Sequence, residues 1–155
     1  MMKYLALPSL LLMLSACTTI GETSKTSSQV QNQTDRLAAR ELSPGECGLF
    51  VFTADDERRF ILFSQASNSE ASWWTETGEV KVRRTGTDGF VTYGQAPGQN
   101  FELPNGGVLK LVLGDPQEID RGTRYKAGRI TSADADGWEK IMPVIGAAGC
   151  QAGSR

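Results

Sequence analysis

Between Cys47 and Cys150 the apolar positions follow the two-residue period of β-strands, broken at short intervals by turn residues. Leu49-Phe50-Val51-Phe52 and Phe60-Ile61-Leu62-Phe63 are apolar on both faces and flank the turn-forming Ala54-Asp55-Asp56-Glu57. They predict a central hairpin whose two faces both need covering. Ala71 to Thr75 and Val80 to Arg83 follow as strands on either side of Gly78. Trp73 and Trp74 are adjacent in the first of these, and neighbours in a strand point to opposite sides, so at most one enters the core. Thr87-Asp88-Gly89 reads as a turn before a strand over Phe90-Val91-Thr92-Tyr93, and Ala96-Pro97-Gly98 as a turn before Phe101-Glu102-Leu103. Asn105-Gly106 gives the strongest hairpin signal, because both residues accept the positive φ angles of a type I′ turn. In the next strand Leu109, Leu111 and Leu113 share one face, with Lys110 and Val112 on the other. Thr123 to Thr131 alternates weakly, with Tyr125, Ala127 and Arg129 on one face. After Asp134-Ala135-Asp136-Gly137 comes a last strand from Trp138 to Ile145, in which Pro143 requires an edge or a bulge because it donates no ladder bond. Seven or eight such strands predict an all-β domain over residues 45–152, built as a small antiparallel barrel or a sandwich.

Upstream the pattern changes twice. Thr34-Asp35 precedes Arg36 to Leu42, good helix formers with Pro44-Gly45 behind them, which predicts a short N-terminal helix. Its Leu37, Ala38 and Leu42 either dock on an open face of the hairpin or belong to the frayed end of the preceding segment. Thr18 to Gln33 is rich in Ser, Thr, Gln and Asn, has almost nothing to bury, and reads as a flexible tether within a segment spanning 17–44. Before it, Met1-Met2-Lys3 supplies a positive start and Tyr4 to Leu14 an apolar run. A bilayer-spanning helix needs about 20 apolar residues, so this shorter run makes 1–16 a signal peptide.

The junction Leu14-Ser15-Ala16-Cys17 resembles the lipobox of bacterial lipoproteins, in which the signal is cut before the cysteine. The resemblance implies a diacylglyceryl thioether on Cys17 and an acylated, palmitate-type amino terminus, hence a membrane anchor. Thr18 stands where an aspartate often retains such proteins at the inner membrane, so the implied address is the outer membrane, facing the periplasm. Two or more acyl chains suffice for stable anchoring. With Cys17 lipidated, Cys47 and Cys150 are the thiols left in an oxidising compartment, and they are expected to pair in a disulfide that closes the domain.

Composition narrows the chemistry. The chain holds 16 basic and 18 acidic residues and no histidine, which removes the usual general base, the commonest zinc ligand and the near-neutral pH switch. Asp134-x-Asp136-Gly137 resembles the start of a calcium loop, but Pro143 occupies the place of the closing glutamate, so a plain Asp/Gly turn is expected. Asp55-Asp56-Glu57 reads as a solvated hairpin tip. No catalytic residue, metal site or cofactor is expected, and a slightly acidic chain is a poor general partner for nucleic acid or anionic headgroups.

Lys81, Arg83 and Arg84 form a basic row on one strand, with Trp73 or Trp74 on the strand before it. Such a face stacks on a sugar ring or holds an acidic partner. The plainer alternative is that the row pairs with Glu76 and Glu79 on a solvated surface. A second resemblance is to the membrane-bound lysozyme inhibitors of the C-type class, which share a lipobox, a small β-domain and a cysteine pair joining its ends. Their Ser-Gly-x-x-Tyr and Trp-x-Lys-Gly segments send a serine and a lysine into the lysozyme active site. Here Arg121-Gly122-Thr123-Arg124-Tyr125 keeps Gly122 and Tyr125 with arginine for the serine, and Trp138-Glu139-Lys140 keeps Lys140 with Ile141 for the glycine. The leading expectation is a non-enzymatic, membrane-anchored module that binds another envelope component, protein or glycan. An inhibitor of lysozyme-like cell-wall hydrolases is the first alternative, and a small-ligand barrel with a hollow interior the second.

Overall fold

A computed structural model describes residues 35–153; the signal peptide, Cys17 and the tether expected over 18–33 lie outside them. Eight antiparallel strands follow in chain order: β1 (Cys47–Thr53), β2 (Phe60–Gln65), β3 (Glu70–Thr75), β4 (Gly78–Asp88), β5 (Gly98–Glu102), β6 (Val108–Ile119), β7 (Gly122–Ala133) and β8 (Glu139–Cys150). Each pairs with the next, and β8 returns to β1, so the sheet is a closed barrel rather than a sandwich. Closure leaves no free edge on which another strand could template. The closing ladder runs from Cys47↔Cys150 to Thr53↔Val144, and the Cys47–Cys150 disulfide fastens its first rung.

Period-two alternation sorts the side chains. Leu49 and Val51 on β1, Leu62 on β2, Trp73 on β3, Val82 on β4, Phe101 on β5, Leu109 and Leu111 on β6, Ile130 on β7 and Val144 on β8 point inward and are buried together. An eight-stranded barrel has an interior just wide enough for side chains to fill it, and these fill it. The opposite face of the β1–β2 hairpin carries Phe50, Phe52, Phe60 and Phe63, whose rings lie 5.0–6.4 Å apart. Both faces of the hairpin are covered, as its sequence requires.

The outer cover differs from the expected helix. Arg36 to Leu42 forms no helix; it crosses the phenylalanine face as an irregular strap, with Leu37 only 1% exposed against Phe60 and Phe63 and Leu42 packed beside them. A two-turn helix leaves most of its terminal backbone groups unbonded and does not recover the cost of nucleation. In the strap, the Leu37 N–H instead donates to the Phe60 carbonyl at 2.7 Å. The leucines dock where the pattern placed them, in another backbone conformation.

The segment from Phe90 to Tyr93 is likewise no strand. Residues 89–97 form the β4–β5 loop, in which only Thr92 and Gln95 bridge. A type I′ turn sits here instead, on Tyr93 (φ 51°) and Gly94 (φ 67°). At Asn105-Gly106 only Gly106 has positive φ (83°), and Asn105 Oδ1 accepts the Gly107 N–H at 3.1 Å, so that hairpin uses a glycine-bulged turn instead. The weak alternation of β7 has its cause in a register shift between Tyr125 and Arg129 against β8. Pro143 pairs with Arg129 at the border of that shift, just past the end of β1.

Candidate functional site

The sequence-predicted binding face is divided by the barrel wall. Trp73 points inward, opposite Leu62 and Val80, and is 6% exposed. Trp74 points outward but is half-buried against the phenylalanine cluster. Lys81 and Arg83 stand on the outer face of β4, and each has an acidic neighbour. Lys81 Nζ donates to Ser72 Oγ at 2.7 Å and lies 3.2 Å from Glu79, while Arg83 pairs with Glu102. Arg40 of the strap reaches across to Glu79 at 2.6 Å. Burial alone would raise the Glu79 pKa; the Ser72 hydroxyl, Lys81 and the Arg40 charge outweigh it and hold the carboxyl below its ordinary value. Beside this network, a polar cleft of about 240 Å³ opens between Arg40 and Glu41 of the strap and Glu70, Ser72 and Lys81 of the barrel. Its charges are mixed in sign. Arg84, the third member of the row, turns toward the barrel end and donates to Ser64 Oγ and the Asn68 carbonyl.

The inhibitor-like residues do not converge. Gly122 opens β7 against Gly149, and Tyr125 is buried inside the barrel, its hydroxyl 3.4 Å from Thr92 Oγ1. Lys140 pairs in register with Ser132, far along β7 from Tyr125, about 20 Å away at a rise of ~3.3 Å per residue. Its ammonium bonds Glu76 at 3.2 Å, at the end of the barrel remote from Gly122.

Connections alternate between the two barrel ends, and the β4–β5 loop plugs the end that carries the disulfide. Gln95 and Ala96 are buried there. Gln95 Nε2 donates to the Ser64 carbonyl at 3.0 Å, and Gln99 Nε2 donates to Gln95 Oε1 at 2.9 Å and to the Ala96 carbonyl at 3.1 Å. Ser64 Oγ completes the group by donating to Gln99 Oε1. Buried amides satisfied by one another hold a loop rigidly. From that fixed base Phe90 (84% exposed), Val91 and Tyr93 project into solvent. Sequence reasoning assigned these residues to a strand and so missed them; the Tyr93-Gly94 pair, able to take a left-handed turn, was the signal of a loop.

A second group was visible only as alternation. Lys110 on β6 and Arg124, Lys126 and Arg129 on β7 lie on the outer wall, and among the described residues none has a carboxylate within ion-pair distance. The Asp134 turn next to this wall is an ordinary one, its Oδ1 accepting the Asp136 and Trp138 N–H groups. Among the described residues no cluster of His, Cys, Asp or Glu has the arrangement of a metal site. No protein-family model, curated protein or solved structure matches this chain.

Proposed function

We propose that the protein is a lipid-anchored, non-enzymatic binding module of the cell envelope, held at the membrane through Cys17 and engaging a protein partner through Phe90, Val91 and Tyr93. The observation that carries this reading is the pinned loop tip. Two aromatic residues and a valine are exposed on one loop, on a base that Gln95 and Gln99 make rigid. Preorganised aromatic residues contribute most per residue to protein interfaces, because little side-chain freedom is lost on binding. The exposed Val91 next to Phe90 in the chain favours a protein over a glycan, since its side chain offers a sugar hydroxyl no hydrogen-bond partner. Support for the anchor comes from the disulfide, which occupies Cys47 and Cys150 and suits an oxidising compartment, leaving Cys17 for the lipid. The side-chain-filled interior favours an outer-surface partner over a small ligand carried within. Nothing in the placement of Tyr125 and Lys140 favours the inhibitor alternative.

The test is photo-crosslinking of the full chain in cells, with benzoylphenylalanine at Phe90 and, as control, at the exposed tip residue Glu57. A discrete envelope-protein adduct from position 90 alone is expected, together with palmitate labelling that Cys17→Ser abolishes. Equal adducts from both positions, or a hydrolytic activity of the purified chain that one substitution destroys, would overturn the proposal.

A further inference from the structure

The two walls of the barrel differ in electrical character. On the β3–β4 side every outward cation named above is neutralised, Lys81 by Glu79 and Arg83 by Glu102. Across the barrel, on β6 and β7, Lys110, Arg124, Lys126 and Arg129 have no ion-pair partner among the described residues. Three exposed carboxylates share these strands, Asp115 beside Lys126 between the Gly114↔Ala127 and Pro116↔Tyr125 pairs, Glu118 on β6 and Glu139 on β8, and none lies within ion-pair distance of the four cations. The same wall carries apolar groups that no other described residue covers. Trp138 in the β7–β8 turn is 79% exposed and Ile141 on β8 is 63% exposed, while Val112 lies in register with Arg129. The slight negative charge of the whole chain conceals this segregation, because the average does not report where the charges sit.

We infer that the outer wall of β6, β7 and β8 is a second contact surface, one that lies against an anionic phospholipid bilayer with Trp138 and Ile141 at the headgroup boundary and the four cations on the lipid phosphates. This rests on the reading of Cys17 as the anchor, which holds the domain at a bilayer. Three considerations select this occupant. Cations without carboxylate partners are complementary to a surface of phosphates, and their aliphatic stems extend along apolar surface while the charged heads reach outward. Indole and aliphatic side chains next to a basic row are the composition of surfaces that rest in the membrane interface. The chain from Cys17 to Asp35 also reaches far enough, since at ~3.3–3.6 Å per residue it extends to roughly 60 Å. The strands of the wall, 12 residues each, are about 40 Å long. The anchor therefore leaves the domain free to lie on this side. Each basic residue near an anionic surface strengthens association about fivefold.

The lipidated full chain in vesicles containing brominated phospholipid tests this. Its readout is the component of tryptophan fluorescence that Trp138→Phe removes. Bromine should quench that component in vesicles of phosphatidylglycerol mixed with phosphatidylcholine, and not in phosphatidylcholine alone. In the variant K110Q/R124Q/K126Q/R129Q the ratio of surface-bound to free domain should fall roughly 600-fold, about fivefold for each of the four charges, with far-ultraviolet circular dichroism unchanged. Quenching that is absent, equal in both vesicles, or unmoved by the variant overturns the inference. So does binding of polyglutamate that the same variant abolishes in the absence of quenching, which would assign the wall to an acidic protein. Failure of the chain to enter the vesicles through Cys17 would instead count against the anchor, and the same quenching, measured with chain added from outside, still reads the wall.

Discussion

Replacing Cys47 and Cys150 together by serine should reveal how much of the barrel's stability resides in its closing bond. The two cysteines are 103 residues apart, and the loop-entropy relation for a loop of that length gives about 4.7 kcal/mol at 25 °C. Domains of this size are stable by roughly 5–15 kcal/mol in all, so the variant should be folded but marginal. Folding itself should persist, because the β1–β8 ladder continues through Thr53↔Val144 and the interior residues are unchanged. The assay is guanidinium denaturation followed by near-ultraviolet circular dichroism, which reports the packing of Trp73 and Tyr125 in the core. A fall in midpoint of about 1 M or more is expected, with little change in slope. The converse outcome is equally informative: a loss below ~1 kcal/mol would show that the unfolded chain gains little freedom when the bond is removed, and the closure argument would be wrong. Loss of all ordered structure without denaturant would show that the ladder cannot close unaided.

Three further outcomes follow from particular contacts. Leu37→Ala should cost about 2–3 kcal/mol by opening a void against Phe60 and Phe63, and hydrogen exchange should quicken across the strap while the β5–β6 and β6–β7 ladders stay protected. Gly94→Ala forces a side chain into a left-handed backbone with its Cβ 2.6 Å from that of Ala66; it should destabilise by more than ~1 kcal/mol and loosen the Phe90 tip, read as a lower melting temperature and weaker crosslinking there. Asp55 accepts the Thr53 hydroxyl at 2.6 Å and pairs with Arg59, in that order of influence, and these hold its carboxyl below the ordinary value of 3.8. A depressed folded-state pKa contributes stability that is present above the unfolded value and lost as pH falls through the folded one. The denaturation midpoint should therefore drop on acidification below about pH 4, and Asp55→Asn should flatten that limb of the profile.

Much of the barrel was legible because closed sheets impose a strict rule on sequence. Leu109, Leu111 and Leu113 alternate with Lys110 and Val112, and the structure puts the leucines inside. The doubly apolar β1–β2 hairpin announced two cores, and it has them. Where the reading departed from the structure, a tertiary contact outweighed a local preference. Arg36 to Leu42 has the composition of a helix, yet the Phe60 carbonyl and the phenylalanine rings reward an extended strap. Phe90 to Tyr93 has the composition of a strand, yet Gln95 is the residue the barrel end takes in, and that turns the aromatic residues outward. The candidate site was less legible than the fold for the same reason. Whether a cation is neutralised depends on which carboxylate the register brings opposite, as Glu102 is to Arg83, and sequence spacing does not state cross-barrel register.

The strap has a consequence for how the chain is made. It precedes the hairpin that it shields, whereas β8, which closes the barrel, comes last. A chain emerging from its amino terminus thus presents the cover for Phe50, Phe52, Phe60 and Phe63 before those rings appear, but stays an open sheet until Cys150 arrives. Shielding of the most adhesive surface comes early in biogenesis, and sealing of the edges comes at its end.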